Sequence, residues 1–246
     1  MVRYQDLQGR IDRGDVIILD GAVGTGLQNL GVPMHGIAWA AAGLQTHPFT
    51  TRRVARRTAL TPEQTQANLR EQAGILGEAG VDLLLAESTG SMQHRKWVVE
   101  ACLSTGIPTW IGIKCRLEGD DPMPRVGYSS DVALADGLAE LTPLGGRVIS
   151  VFHSNVRSTD AALPIVRERW PGPIGAYPEA GREDYVDPLA DPAGKNDVTP
   201  AEFLDQARKW VQDGVQVIGG CCGMGPEYIR PLRDGLPTRI PTPRRT

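Results

Sequence analysis

The sequence lacks several features that would assign it to a broad class of proteins. It has no basic excess, since 26 Lys and Arg face 29 Asp and Glu and the formal net charge is −3. Proteins that bind nucleic acid or anionic membranes usually carry such an excess, so we expect neither partner. The sequence also has no apolar run near the roughly 20 residues that span a bilayer, and no apolar signal segment at its charged N-terminus. These absences predict a cytoplasmic protein.

Cysteine is also scarce, with four residues in a chain of 246. This number is too small for a disulfide-stabilised scaffold, and in a reducing compartment clustered cysteines more often bind metal or take part in catalysis. Two of them, Cys221 and Cys222, are adjacent and lie between glycines directly after an apolar run, in GVQVIGGCCGMGPEY. Cys102 stands at helical spacing from Trp97 and Val98, which predicts a packing role in the core.

Short apolar runs rich in β-branched residues alternate with helical segments. The runs are 16–21, 81–88, 108–114, 147–153, 172–181 and 215–220. Each is almost continuously apolar, which is typical of strands buried on both faces of a parallel sheet. Two helices have clear N-terminal signals, namely Thr61 before Pro62, and Thr199 before Pro200 with Glu202 at capping-box spacing. The alternation predicts an α/β fold of the (β/α)8 TIM-barrel type, for which about 250 residues is a usual size.

The barrel is expected to be shortened, because only six strands are evident. Residues 32–60 contain no run that looks like a buried strand, although two further βα units would have to precede the strand at 81–88. No linker divides the chain, so we expect one barrel-like domain over residues 1–236. The proline-rich, basic tail at 237–246 is expected to be poorly ordered.

Polar and metal-binding residue types follow the predicted strands. In βα-repeat folds the carboxyl ends of the strands meet on one face, where the active site lies. The sequence places there Asp20, Gly21, Ala22, Glu87, Lys114, Cys115, His153, Glu179, Cys221 and Cys222. The strand ends therefore predict a functional site with several candidate ligands.

The paired cysteines are the strongest metal-binding signal. Two adjacent thiolates reach one ion only if the backbone turns sharply, and we expect Gly219, Gly220 and Gly223 to permit that turn. Zn²⁺ favours thiolate and imidazole ligands, and a catalytic zinc site needs only three of them from the protein. A vicinal disulfide, or two small residues packed beside a tight turn, remains an alternative for Cys221 and Cys222.

Several stretches resemble the homocysteine S-methyltransferase family, also called the Hcy-binding domain. They are ILDGAVGTGLQNLG, WAAAGLQTHP, LGEAGVDLLLAES, GPIGAYPEAG and FLDQARKWVQDGVQVIGGCCGMGPEYIRPL. The Gly-Gly-Cys-Cys-Gly segment after a strand is the most specific of these motifs. The resemblance implies a (β/α)8 barrel whose mouth holds zinc on three cysteines, two of which correspond to Cys221 and Cys222.

The sequence departs from the family pattern at the third zinc ligand. The position of the family's third cysteine falls on His153, and two cysteines with one histidine form an accepted catalytic zinc set. The resemblance therefore implies Zn²⁺ bound by Cys221, Cys222 and His153, with Cys115 as the alternative third ligand. Glu179 occupies a position where the family often has asparagine, and its role stays open.

A second departure is the short stretch between residues 48 and 61, where one or two βα units of the family barrel are missing. Lost strands expose sheet edges. An unexpected strand pairing or association into a homo-oligomer would cover those edges, and an unstable truncated product is the remaining alternative.

The resemblance implies a zinc-dependent S-methyltransferase that moves a methyl group from a sulfonium or ammonium donor to the thiol of homocysteine, giving methionine. The donor is S-methylmethionine, S-adenosylmethionine or betaine. Asp20 and Glu87 correspond to residues that help bind the amino-acid end of the substrate, and the backbone amides of Gly21 and Ala22 would receive its carboxylate. Alternatively, Asp20 caps a turn, and Glu87 pairs with Arg95 or Lys96.

Two other functions remain open at this point. One is methyl transfer to a different thiol, and the other is a non-catalytic barrel that binds zinc or a thiol. A dinucleotide cofactor is not supported, because GAVGTG does not match the spaced glycine fingerprint.

Overall fold

The structure is a computed structural model, which describes residues 4–22, 26, 60–128, 130–181 and 198–241. Within these residues, strands and helices alternate along the chain. The strands are β1 (Ile17–Ile18), β2 (Leu84–Ser88), β3 (Thr109–Ile113), β4 (Cys115–Arg116), β5 (Arg125–Val126), β6 (Ile149–Asn155), β7 (Ile174–Glu179) and β8 (Val217–Ile218). The helices are α1 (Tyr4–Asp12), α2 (Pro62–Glu78), α3 (Met92–Leu103), α4 (Leu134–Leu141), α5 (Val156–Arg169), α6 (Pro200–Gln212) and α7 (Pro226–Gly235).

The six predicted strands form one parallel sheet, in the order β1-β8-β7-β6-β3-β2. The first strand pairs with the last, as in a closed (β/α)8 barrel. Among the described residues the sheet stays open between β1 and β2, so the barrel is not closed there. The predicted loss of βα units between residues 48 and 61 lies outside the described residues.

The two predicted helix starts are confirmed at α2 and α6. In α2 the Thr61 hydroxyl accepts a hydrogen bond from the Gln64 amide, and the Gln64 side chain accepts one from the Thr61 amide. In α6 Thr199 and Glu202 form the same reciprocal pair. Each pair satisfies two amides that a helix start leaves without partners, which fixes where the helix begins.

The buried apolar side chains form two separate clusters. The larger part packs the sheet against the helices, and it contains Val99, Cys102 and Ile111. The predicted core role of Cys102 is therefore confirmed. The smaller part lies at the amino ends of the strands beneath α1, and its buried members are Ile11, Ile17, Trp110, Val148 and Val217. This apolar plug leaves the opposite face, the mouth formed by the carboxyl ends of the strands, for chemistry.

The beginning of the C-terminal tail is more ordered than the sequence analysis predicts. The carbonyl of Thr238 accepts a hydrogen bond from the Val16 amide at 2.9 Å, and the Ile240 amide donates to the Gly14 carbonyl at 2.9 Å. Backbone pairing with the segment before β1 holds residues 238–240 against the domain. Residues 242–246 lie outside the described residues.

No helix in the described parts of the chain is both long and apolar enough to cross a membrane.

Candidate metal centre

Three ligand atoms meet at the mouth, namely His153 Nδ1, Cys221 Sγ and Cys222 Sγ. The nitrogen lies 3.4 Å from the Cys221 sulfur and 3.5 Å from the Cys222 sulfur, and the sulfurs are 4.0 Å apart. Around one tetrahedral zinc ion, nitrogen and sulfur ligands are separated by about 3.6 Å and two sulfurs by about 3.8 Å. The side chains therefore fit a single zinc ion without rearrangement.

Close packing shapes the loop that carries the two cysteines. A Cβ atom on Gly219 would lie 2.7 Å from the Leu19 Cβ, and one on Gly220 would lie 2.6 Å from the Met224 Cβ. Of the three glycines, Gly223 alone has a positive φ, of 77°. The expectation that all three glycines supply unusual backbone angles is thus wrong for Gly219 and Gly220, where the missing side chain makes room for neighbouring segments.

The cysteine loop is also bonded to the end of β7. The Cys221 amide donates to the Pro178 carbonyl at 2.7 Å, and the Cys222 carbonyl accepts from the Ala180 amide at 2.9 Å. These bonds fix the backbone of both cysteines, so their sulfurs are positioned by the sheet as well as by the loop.

His153 reaches the sulfurs from the end of β6 through an irregular backbone. Its φ is 47°, a left-handed value that is uncommon outside glycine, and the register between β6 and β7 shifts between Phe152 and Asn155. A left-handed conformation costs a non-glycine residue roughly 1–2 kcal/mol. The buried Lys114 ammonium donates to the His153 carbonyl at 2.5 Å and holds this conformation.

Two polar side chains contact the His153 imidazole, and the Lys114 side chain contacts both of them. A Glu179 carboxylate oxygen lies 3.1 Å from Nδ1, and the Tyr128 hydroxyl lies 2.5 Å from Nε2. The Lys114 Nζ lies 3.6 Å from the other Glu179 oxygen and 4.2 Å from the centre of the Tyr128 ring. The sequence predicts Lys114 and Glu179 at strand ends without indicating a role for them. Tyr128 follows the short antiparallel hairpin of β4 and β5, and no sequence pattern indicates it.

The hydrogen bonds among His153, Cys221 and Cys222 shift the pKa values of all three side chains. The hydrogen bond with Cys221, reinforced by one with His153, lowers the pKa of Cys222. The same hydrogen bond, together with burial, raises the pKa of Cys221. Burial lowers the pKa of His153, but its hydrogen bond to Cys222 and the charge of Glu179 outweigh burial, so the net pKa is raised. The opposite shifts favour a thiolate at Cys222 over one at Cys221, and a bound metal ion would replace the proton that the two sulfurs share.

The predicted substrate-binding carboxylates lie near one another at the mouth. Glu87 accepts a hydrogen bond from the Tyr177 hydroxyl at 2.8 Å. Partial desolvation raises the pKa of Glu87, although the residue is exposed, and the nearby charge of Asp20 adds to that increase. The suggested alternative partners of Glu87 bond elsewhere, Arg95 to the Ser88 carbonyl and Lys96 to Glu140.

The glycine loop after β1 packs against the cysteine loop. The Asp20 carbonyl accepts from the Gly220 amide at 3.2 Å, and the Ala22 amide donates to the Met224 carbonyl at 2.9 Å. A Cβ on Gly21 would lie 2.2 Å from that same Met224 oxygen. The Ala22 amide, which the sequence analysis assigned to a substrate carboxylate, therefore already has a partner within the protein.

Cys115, the alternative third ligand, lies outside the cluster. Its side chain is fully buried, and its sulfur lies 3.7 Å from the Ser154 hydroxyl and 3.6 Å from the Ser158 carbonyl. Among the described residues, the cluster of candidate ligands comprises His153 and the two adjacent cysteines without Cys115.

Comparisons with known proteins agree with the fold and the motifs. The sequence profile of the family described as homocysteine S-methyltransferase matches residues 50–236. Homocysteine S-methyltransferase 3 from Zea mays is 25% identical over 170 residues, and S-methylmethionine–homocysteine S-methyltransferase BHMT2 from Pongo abelii is 25% identical over 184 residues. Each match covers 68% of this chain but 48% of the relative, so the chain spans about half the length of these proteins.

A solved structure shows the same fold. The crystal structure of the homocysteine methyltransferase MmuM from Escherichia coli, in its metallated form, matches with a TM-score of 0.65 at 18% sequence identity. The match covers 93% of this chain and 99% of that chain. The predicted barrel-like α/β architecture is confirmed by this match.

Proposed function

Because the chain belongs to the homocysteine S-methyltransferase family, we propose that it methylates the thiol of homocysteine, giving methionine, at a zinc ion held by Cys221, Cys222 and His153. The methyl group leaves a sulfonium or quaternary ammonium donor, the thiol proton is released, and the donor departs as a neutral sulfide or amine. The observation that carries this proposal is the meeting of one imidazole nitrogen and two sulfurs at the mouth, at separations suited to one ion.

The three protein ligands determine which chemistry a bound zinc ion would supply to the substrate. When bound, Zn²⁺ would hold the substrate sulfur as a thiolate, although a free thiol has a pKa near 8.5 and is mostly protonated at neutral pH. Three protein ligands leave one position of a tetrahedral ion for that sulfur. His153 in place of a third thiolate makes the metal site neutral before substrate binds, whereas three cysteines would give it a charge of −1.

The remaining parts of the mouth suit the amino-acid end of the substrate. Glu87 and Asp20 would attract its ammonium group, since both carboxylates stand at strand ends and influence each other electrostatically. Tyr177 would orient Glu87 through its hydroxyl.

Relatives suggest both the donors and a second acceptor. Matched proteins include Betaine–homocysteine S-methyltransferase 1 from Rattus norvegicus, 24% identical over 180 residues, and Selenocysteine methyltransferase from Astragalus bisulcatus, 24% identical over 164 residues. Betaine and S-methylmethionine are therefore the first donors to test. A selenol is the second acceptor to test, because a selenol, like a thiol, binds zinc as its anion.

The test combines metal analysis with product formation. We expect one zinc per chain in the purified protein, lost in Cys221→Ser and in His153→Ala but retained in Cys102→Ala, which removes a core thiol outside the cluster. Methionine should then form from homocysteine with S-methylmethionine, S-adenosylmethionine or betaine, each supplied separately. Folded protein that binds no zinc would refute the proposed site, whereas zinc binding without turnover would leave a non-catalytic zinc-binding barrel.

A further inference from the structure

The geometry points to Tyr128 as a positioning residue for the metal site, which holds the His153 ring so that Nδ1 faces the two sulfurs. Its hydroxyl lies 2.5 Å from His153 Nε2, the ring nitrogen opposite the one that faces the cysteines. This inference rests on the proposed zinc site, and it concerns a residue for which the sequence carries no motif.

The chemistry of imidazole explains why such a partner is needed. A histidine that binds metal through Nδ1 carries its proton on Nε2, and metal-binding histidines almost always donate that proton to an oxygen, which fixes the ring orientation. The Tyr128 hydroxyl oxygen is the acceptor placed at that nitrogen. A cysteine ligand has no second polar atom, so a site with three cysteines would not need this contact.

Contacts with the backbone and the side chain of Lys114 fix the position of Tyr128. The Gly127 amide, next to Tyr128, donates to the Lys114 carbonyl at 2.8 Å, which continues the antiparallel β4–β5 pairing up to the residue before Tyr128. The Lys114 ammonium lies 4.2 Å from the centre of the Tyr128 ring and also bonds the His153 carbonyl. One buried lysine thus positions both the backbone of His153 and the tyrosine that contacts its ring.

The orientation of Tyr128 supports a directed role for this residue. Tyr128 is 57% exposed, yet its hydroxyl points to the half-buried histidine ring. The two rings stand nearly perpendicular, at 83°, with centres 6.0 Å apart. An exposed aromatic residue with this orientation contributes little to the core, so its removal is expected to affect the site more than the fold.

The decisive variant is Tyr128→Phe, which removes only the hydroxyl and keeps the ring over Lys114. We expect the zinc affinity to fall by about 10- to 100-fold, the usual effect of losing an outer partner of a ligand. Affinity would be measured by competition with a chromogenic zinc chelator. The absorption spectrum of the cobalt(II) form would report a change of ligand geometry independently of activity.

Two comparisons separate positioning from a structural effect. In a His153→Cys background there is no Nε2 to hold, so Tyr128→Phe should change zinc affinity by less than about 3-fold. The control Tyr4→Phe also removes a tyrosine hydroxyl, which bonds Gln8 and Trp110 in the plug at the other end of the barrel, and it should leave zinc affinity unchanged.

The outcomes distinguish this inference from the proposed function beneath it. If the unaltered protein binds no zinc, the proposed site fails. If it binds zinc and Tyr128→Phe keeps the original affinity and cobalt spectrum, the role of Tyr128 is refuted. The role is also refuted if Tyr128→Phe lowers the affinity equally in the unaltered protein and in the His153→Cys background. Circular dichroism and thermal melting would establish that each variant is folded.

Discussion

At the scale of single residues, His153 sets the charge of the proposed site. A neutral imidazole leaves the zinc more electropositive than a third thiolate would, which lowers the pKa of a bound substrate thiol further. The same effect makes the bound sulfur less nucleophilic, because thiolate reactivity falls with pKa along a slope of about 0.4–0.5. In the proposed reaction the histidine would therefore favour deprotonation of the substrate at the expense of methyl transfer.

We accordingly expect His153→Cys to transfer methyl groups faster than the unaltered protein. A difference of one to two pKa units in the bound thiol would raise the rate by about 3- to 10-fold on that slope. The measurement is single-turnover methionine formation with both proteins fully loaded with zinc and saturated with substrates. A rate in the variant equal to or below that of the unaltered protein would contradict the charge argument.

The residues of the cluster differ in how far they could be predicted. Cys221 and Cys222 follow an apolar run and match a family motif, and His153 aligns with the family's third zinc cysteine at the end of another apolar run, so the sequence alone predicts that they meet. Tyr128 belongs to a hairpin whose strands have two residues each, too short for any periodic pattern. Its contact with His153 depends on the three-dimensional path of that hairpin, which no local spacing encodes.

At the scale of elements, the loops after β1 and β8 form one packed unit. The Ala22 amide bonds the Met224 carbonyl, and the Gly220 amide bonds the Asp20 carbonyl. The sequence predicted both loops because glycines and polar residues followed apolar runs. It could not predict their contact, since the glycines there serve close approach between segments that are about 200 residues apart in the chain.

This packing predicts opposite effects of two glycine-to-alanine changes. In Gly21→Ala the new Cβ would lie 2.2 Å from the Met224 carbonyl oxygen, which must move and displace the cysteine loop. Overpacking of this kind typically costs about 1–3 kcal/mol, and we expect zinc affinity to fall with it. In Gly74→Ala, within α2, a Cβ meets nothing within 4 Å. Helix propensity should therefore stabilise the fold of that variant by about 0.5–1 kcal/mol.

Urea unfolding and zinc competition on the two variants would test this prediction. Gly74→Ala serves as the matched control, because it makes the same chemical change away from the mouth. A stable Gly21→Ala protein with unchanged zinc affinity would show that the two loops are not coupled.

At the scale of the whole molecule, the apolar plug lies at the amino ends of the strands and the polar mouth lies at their carboxyl ends. The plug contributes to the stability of the fold, and the mouth holds the candidate metal centre. The sequence predicted the polar mouth, because each apolar run was followed by polar residues and the strands were expected to be parallel. It did not predict the order within the tail, where residues 238–240 pair with the segment before β1. That pairing joins the two ends of the described chain beside the plug, away from the candidate metal centre.

The mouth nevertheless joins distant parts of the chain, since the candidate ligands come from β6 and from the loop after β8. A zinc ion that binds only the folded chain should therefore stabilise the whole domain. At a free zinc concentration about 100 times the dissociation constant, we expect a gain of about 2.7 kcal/mol in the free energy of unfolding. Thermal melting with and without a chelator would measure the gain, and Cys222→Ser should show little of it. Equal shifts in the unaltered protein and in Cys222→Ser would mean that zinc stabilises the fold from another site.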